Sequence, residues 1–159
     1  MKILFTLESS AGMEVKMKQI KGGVTAAKGF KAASTAAGIK YKDRTDMAMI
    51  YSEVPCAVAG TFTTNIVKAA PVKWDQHVVY DSKKAQAVIV NAGIANACTG
   101  EEGMGYCKAT AEKVNKLLQI PTDEVLVAST GVIGMQLPID RICACLLYTS
   151  PSPRDTERS

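Results

Sequence analysis

One histidine, His77, and one tryptophan, Trp74, stand in a chain of 159 residues. A single imidazole excludes a histidine-rich metal centre. Five cysteines with no Cys-x-x-Cys among them exclude a zinc-finger cluster as well. Their odd number, without a secretory spacing, speaks for a reducing, cytoplasmic setting rather than a disulfide framework. Nowhere do apolar residues run on for the roughly 18 positions of a membrane-spanning helix, so no membrane partner is expected. The apolar start Met1–Leu7 is broken by Glu8 and makes a poor signal-peptide core. Missing too is any run of lysine and arginine interleaved with aromatic residues; a net charge of +4 and 6% aromatic content give nucleic acid no platform.

What is there, 47% hydrophobic and 21% charged residues, is the composition of one globular domain with a packed core. Its organising stretch runs from Gln86 to Gly134. Gln86–Asn91 is a short apolar, β-branched run, predicted to be a buried strand. Asn91–Gly100 then turns on small residues and two glycines. A helix should follow: Met104, Cys107, Ala111, Val114 and Leu118 recur at steps of three and four, with Thr99 as the expected cap and Glu101 and Glu102 at the positive end of the helix dipole. Ile120-Pro121 closes it, Glu124–Ser129 is a second strand, and Thr130-Gly131-Val132-Ile133-Gly134 leaves its end. That glycine loop is either a plain turn or a place where backbone N–H groups and a hydroxyl face a ligand.

Earlier in the chain, Lys31–Gly38 is expected to make a short helical turn. Asp46–Ser52 and Cys56–Thr63 are expected as an antiparallel pair of strands with Glu53-Val54-Pro55 as the turn. Ala69–His77 reads as a short helix started by Pro71, with Trp74 and Val78 inward. Gly22–Gly29 is not a phosphate loop, because Lys28 precedes Gly29 where that loop needs lysine directly after the glycine. His77 lacks a neighbouring cysteine or serine and reads as a surface or packed residue rather than a base. Cys98 would need a base or a helix N-terminus to become a nucleophile, and a packed small thiol is the plainer reading.

Four segments then carry a resemblance: Gly22–Phe30; Phe62-Thr63-Thr64-Asn65 with Val67–Val72; Asn96–Gly100; and Ser129–Gly134. In order and spacing they resemble the bifunctional ornithine acetyltransferase / N-acetylglutamate synthase family of arginine biosynthesis. The likeness runs from Lys18 to Ile142. It divides the chain into a leader at 1–17, an N-terminal or alpha-chain part at 18–142, and a tail at 143–159. The tail lacks the pattern and reads as a disordered or artefactual ending of a truncated longer gene.

The resemblance implies an α/β fold, a layered sandwich of mixed sheet and helices, present here as its incomplete N-terminal part. It implies transfer of acetyl from N-acetylornithine to glutamate, with acetyl-CoA as an alternative donor and no resident cofactor or metal. In the family a precursor cuts itself before a threonine of an Ala-Thr-Met-Leu motif, and that threonine, with its new amino terminus as base, is the nucleophile of a ping-pong reaction. Thr130 and Gly131 take the place of the oxyanion hole. Thr63, Thr64 and Asn65 fall near it. The nucleophile is not in this sequence: Ala109-Thr110 is followed by Ala111-Glu112 in mid-helix. Substrate-binding residues fall mostly beyond the chain, and the partner is the C-terminal beta chain, in a heterotetramer of two alpha and two beta chains. Alone, the chain should be inactive, with apolar sheet edges exposed. The alternative of a different class is a non-catalytic domain that binds a partner through the same loop.

Overall fold

Met47 and Met49, Ala87 and Ile89, and Val125 and Val127 are buried at every second position of their strands. That period of two turns one face of a sheet inward. The computed structural model describes residues 22–149 and two short strands before them, β1 (Thr6–Glu8) and β2 (Glu14–Lys16), paired antiparallel. The main sheet holds β3 (Phe30–Thr35), β4 (Met47–Ala57), β5 (Lys84–Asn91) and β6 (Val125–Ser129) in the order β3-β4-β5-β6. The first three run antiparallel and β5 and β6 run parallel, so Met49, Ile89 and Val127 fall in one row.

Parallel neighbours need a crossover, and a helix supplies it. The helices are α1 (Ala70–His77), which passes into a π-helical turn at Val78–Ser82, α2 (Glu102–Leu118) between β5 and β6, and α3 (Ile139–Thr149). Ala111 and Val114 of α2 and Ile142 and Leu146 of α3 join Met49 and Ile89 in one core cluster. On the opposite face Ile50, Val88 and Leu126 share a row and are only half-buried. The mixed sheet with helices layered on it is the α/β architecture expected.

α1 does more than cover a flank. Trp74 Nε1 donates to the Val125 carbonyl at 2.8 Å, and Asp75 Oδ1 accepts the Val127 N–H at 3.0 Å. In a ladder, alternate residues point their main-chain groups to opposite sides. Thr130 N–H turns toward β5, onto the Asn91 carbonyl, so Val125 and Val127 face outward, where a further strand would bind. Two side chains stand in for that strand. The expectation of open apolar edges therefore fails on the β6 side.

Other expectations are corrected as well. Residues 30–35 form β3 rather than a helical turn, because six register pairs with β4 outweigh the helical preference of the alanines. The two strands expected at 46–63 are one, β4, and its antiparallel partners are β3 and β5. Pro55 is accommodated because the pairing with β5 shifts register between Tyr51 and Cys56, where the missing N–H is not needed. Thr99 does not cap α2; its hydroxyl donates to Asn96 Oδ1 at 2.7 Å, and Gly103 rather than Met104 joins the buried face. Finally, the helix begun after Pro138 runs through Cys143 to Thr149 with Leu146 and Thr149 wholly buried, so the expected tail is ordered and packed over that part. The leader apart from β1 and β2, and residues 150–159, lie outside the described residues.

Candidate active site

The parallel pair does not stop where its strands end. Thr130 N–H donates to the Asn91 carbonyl at 3.0 Å, Val132 N–H to Gly93 at 3.1 Å, and Ala95 N–H to Val132 at 2.9 Å, while Ile94 and Val132 form a further parallel bridge. Gly134 N–H reaches the Ala97 carbonyl at 3.2 Å. The loops 91–97 and 130–134 thus travel side by side beyond the carboxyl ends of β5 and β6. In open α/β sheets, ligands gather at such strand ends.

Thr130 and Val132 direct their N–H groups onto the neighbouring loop, and the Gly131 N–H between them takes no part in that pairing. Among the described residues, no hydrogen-bond partner takes that N–H or the Thr130 hydroxyl. Both residues are exposed. Gly131 sits at φ +133°, in the left-handed half of conformational space, and a Cβ there would run into the Gly93 carbonyl carbon and oxygen and approach Ile94 N within 2.6 Å. Only glycine lets the loops lie so close. What results is a hydroxyl and a main-chain N–H, adjacent and unengaged, at the mouth of a rigid strand pair.

Beneath them lies a polar network the sequence reading missed. Asn91 is 4% exposed; its Oδ1 accepts the Ser129 hydroxyl at 2.5 Å and its Nδ2 donates to the Ile94 carbonyl at 2.9 Å. Asn96 likewise receives the Thr99 hydroxyl and donates to the Gly103 carbonyl at 2.8 Å, tying the loop to the start of α2. The available signal was position: Asn91 and Ser129 continue the inward rows of Ala87–Ile89 and Val125–Val127, where an apolar residue would otherwise stand.

A cavity of about 380 Å³ opens where α1 and α2 begin, lined by Val67, Lys68, Lys73, Cys98, Thr99 and Met104 among others. Lys68 and Lys73 have no ion-pair partner among the described residues, and with Glu101 they leave the lining an excess of one positive charge. Thr63, Thr64 and Asn65 lie in the exposed loop leading to Val67. Cys98 borders the cavity, exposed and at φ +55°, with no hydrogen-bond partner for its thiol among the described residues. Cys107 is sealed within, its thiol pushed up to about 12 by burial first and then by the charge of Asp75. His77 is exposed at the end of α1 and pairs with Asp81 at 2.5 Å, away from any hydroxyl or thiol partner. The Thr110 hydroxyl bonds back to the Tyr106 carbonyl at 2.8 Å, the ordinary arrangement of a threonine inside a helix. No cluster of three metal-ligating side chains exists among the described residues, and no helix among them is long and apolar enough to cross a membrane.

A sequence model of the ArgJ family matches residues 31–153. The chain belongs to the ArgJ family. Among its relatives, the arginine biosynthesis bifunctional protein ArgJ of Gloeobacter violaceus is 52% identical over 123 residues, which are 77% of this chain and 30% of that protein. That of Thermotoga neapolitana is 51% identical over 116 residues, 72% of this chain and 29% of the relative. The chain therefore spans about 30% of the length of these ArgJ proteins.

Two solved structures share its fold. The crystal structure of ArgJ from Bacillus halodurans superposes with a TM-score of 0.77 at 43% identity, over 82% of this chain and 68% of that one. The ornithine acetyltransferase of Mycobacterium tuberculosis, solved as a complex with ornithine, gives 0.76 at 47% identity, over 80% and 68%.

Proposed function

We propose that this chain supplies the oxyanion-binding half of a glutamate N-acetyltransferase of arginine biosynthesis, which moves acetyl from N-acetylornithine to glutamate. The observation that carries the reading is the adjacent, unengaged Thr130 hydroxyl and Gly131 N–H at the ends of β5 and β6. Attack of a hydroxyl nucleophile on an acetyl carbonyl places negative charge on the carbonyl oxygen. Two fixed donors aimed at one point stabilise that charge without reorganisation, and removing one typically costs about 3 kcal/mol of barrier, on the order of 100-fold in rate.

In this reading the nucleophile is a threonine of the remaining part of the protein, freed by self-cleavage and served by its own amino terminus. The acetyl group passes first to that threonine as ornithine leaves, and then to glutamate. Both steps form a tetrahedral oxyanion over Thr130 and Gly131. The chain holds an N-terminal part of the alpha chain, the beta chain is its partner in a cytoplasmic heterotetramer, and the chain by itself is inactive.

Co-expression with the remaining segment of the Gloeobacter violaceus relative tests this. The expected result is acetyl transfer from N-acetylornithine to glutamate that falls about 100-fold on Thr130→Ala, with little change in KM. Association without any transfer, or transfer indifferent to Thr130→Ala, would overturn it and leave a non-catalytic binding role.

A further inference from the structure

We propose that Asn91 and Ser129 are positioning residues that set the Gly131 peptide and so aim the oxyanion donor; this rests on the reading of Thr130 and Gly131 given above. The two face each other in register at the last step of the β5–β6 ladder, on the inward face of the sheet. An amide buried in such a place is costly unless its hydrogen bonds are made. Here they are, and each runs to one of the two loops. Oδ1 accepts the Ser129 hydroxyl, one residue before Thr130, and Nδ2 holds the Ile94 carbonyl, one residue after Gly93.

Gly131 itself makes no hydrogen bond through its N–H among the described residues; its direction is inherited from its neighbours. Thr130 N–H is tethered to the Asn91 carbonyl and Val132 N–H to the Gly93 carbonyl. Both tethers end on the segment that the Asn91 side chain clamps. One buried side chain therefore fixes the relative placement of the loops, and the glycine peptide between the tethers has no separate freedom to turn. A donor serving a transition state must be held to a fraction of an ångström. Side chains that never touch substrate provide that hold.

Ser129 is the residue to change, since Asn91 sits deeper and its loss threatens the fold. In the chain alone, hydrogen exchange followed by NMR should show Ser129→Ala accelerating the Thr130 and Val132 amides about tenfold, the size expected for losing one hydrogen bond. The Leu126 amide in the strand should stay unchanged, and Ser129→Thr, which keeps the hydroxyl, should restore protection. In the assembled enzyme, Ser129→Ala should lower kcat about tenfold with KM for N-acetylornithine held, and Ser129→Thr should recover it.

Unaltered exchange at Thr130 and Val132 would overturn the proposal, as would faster exchange with an unaltered kcat. The Thr130→Ala control separates the two readings. Normal turnover in Thr130→Ala would remove the oxyanion assignment, whereas slow turnover there beside normal turnover in Ser129→Ala would remove only the positioning role.

Discussion

Asp75 reaches from α1 to the outward-facing N–H of Val127 and accepts it at 3.0 Å. Burial is the larger influence on its carboxyl and lifts the pKa from 3.8 to about 6, against the opposing pull of that N–H. The folded chain thus holds this proton more tightly than the unfolded chain. Its contribution is fully present below pH 3.8 and is lost as pH rises to about 6. Asp75→Asn keeps an oxygen for Val127 and removes the titration. Urea midpoints followed across that interval should fall with rising pH in the parent and fall less in the variant. Equal slopes in both would sink the argument.

Two thiols, Cys98 and Cys107, should respond oppositely to an alkylating reagent. Cys98 is exposed on the cavity rim, and Cys107 is buried with its thiol pushed up to about 12. Iodoacetamide at neutral pH, read by mass spectrometry, should modify Cys98 in the native protein and Cys107 only after denaturant is added. Native labelling of Cys107 would contradict its burial.

Gly131→Ala should lower thermal stability by roughly 1–3 kcal/mol, because the new Cβ meets main-chain atoms of Gly93 that cannot swing aside. Gly134→Ala is the matched control: it too has a positive φ, +81°, but open space around its Cβ position. The first should cost clearly more than the second in thermal melts. Similar melting temperatures would mean that the loops do not lie as close as described.

Leu146→Ala should cost roughly 2–5 kcal/mol, the range for emptying a buried leucine site. Leu147→Ala, one residue on and exposed, should lie within about 0.5 kcal/mol of the parent. Equal, small effects in urea titration would return residues 143–149 to the status of a loose tail.

The parts of this fold that were legible in the sequence are those where one period dominates. β5, α2 and β6 announce themselves because Val88–Val90, the spacing Cys107–Ala111–Val114, and Val125–Val127 each fit one template. β3 was hidden because Lys31–Thr35 is alanine-rich and owes its extended form to pairing with β4, a contact no local window contains. β4 reads as two strands because Pro55 reads as a stop, although a register shift makes room for it. The helical end reads as a tail because the sequence from Thr149 on is polar and proline-bearing, and the burial of Leu146 depends on core residues far away in sequence. In the site, Thr130 and Gly131 stood out through family resemblance. Asn91 and Ser129 did not, since their meaning lies in which side of the ladder they face.

A strand at the border of a sheet is safest from unwanted pairing when its outward main-chain groups are already taken. Trp74 occupies the outward Val125 carbonyl and Asp75 the outward Val127 N–H, so a strand arriving at β6 finds those two groups already taken. The same two side chains that hold α1 to the sheet thus guard that border against edge-to-edge pairing with another molecule.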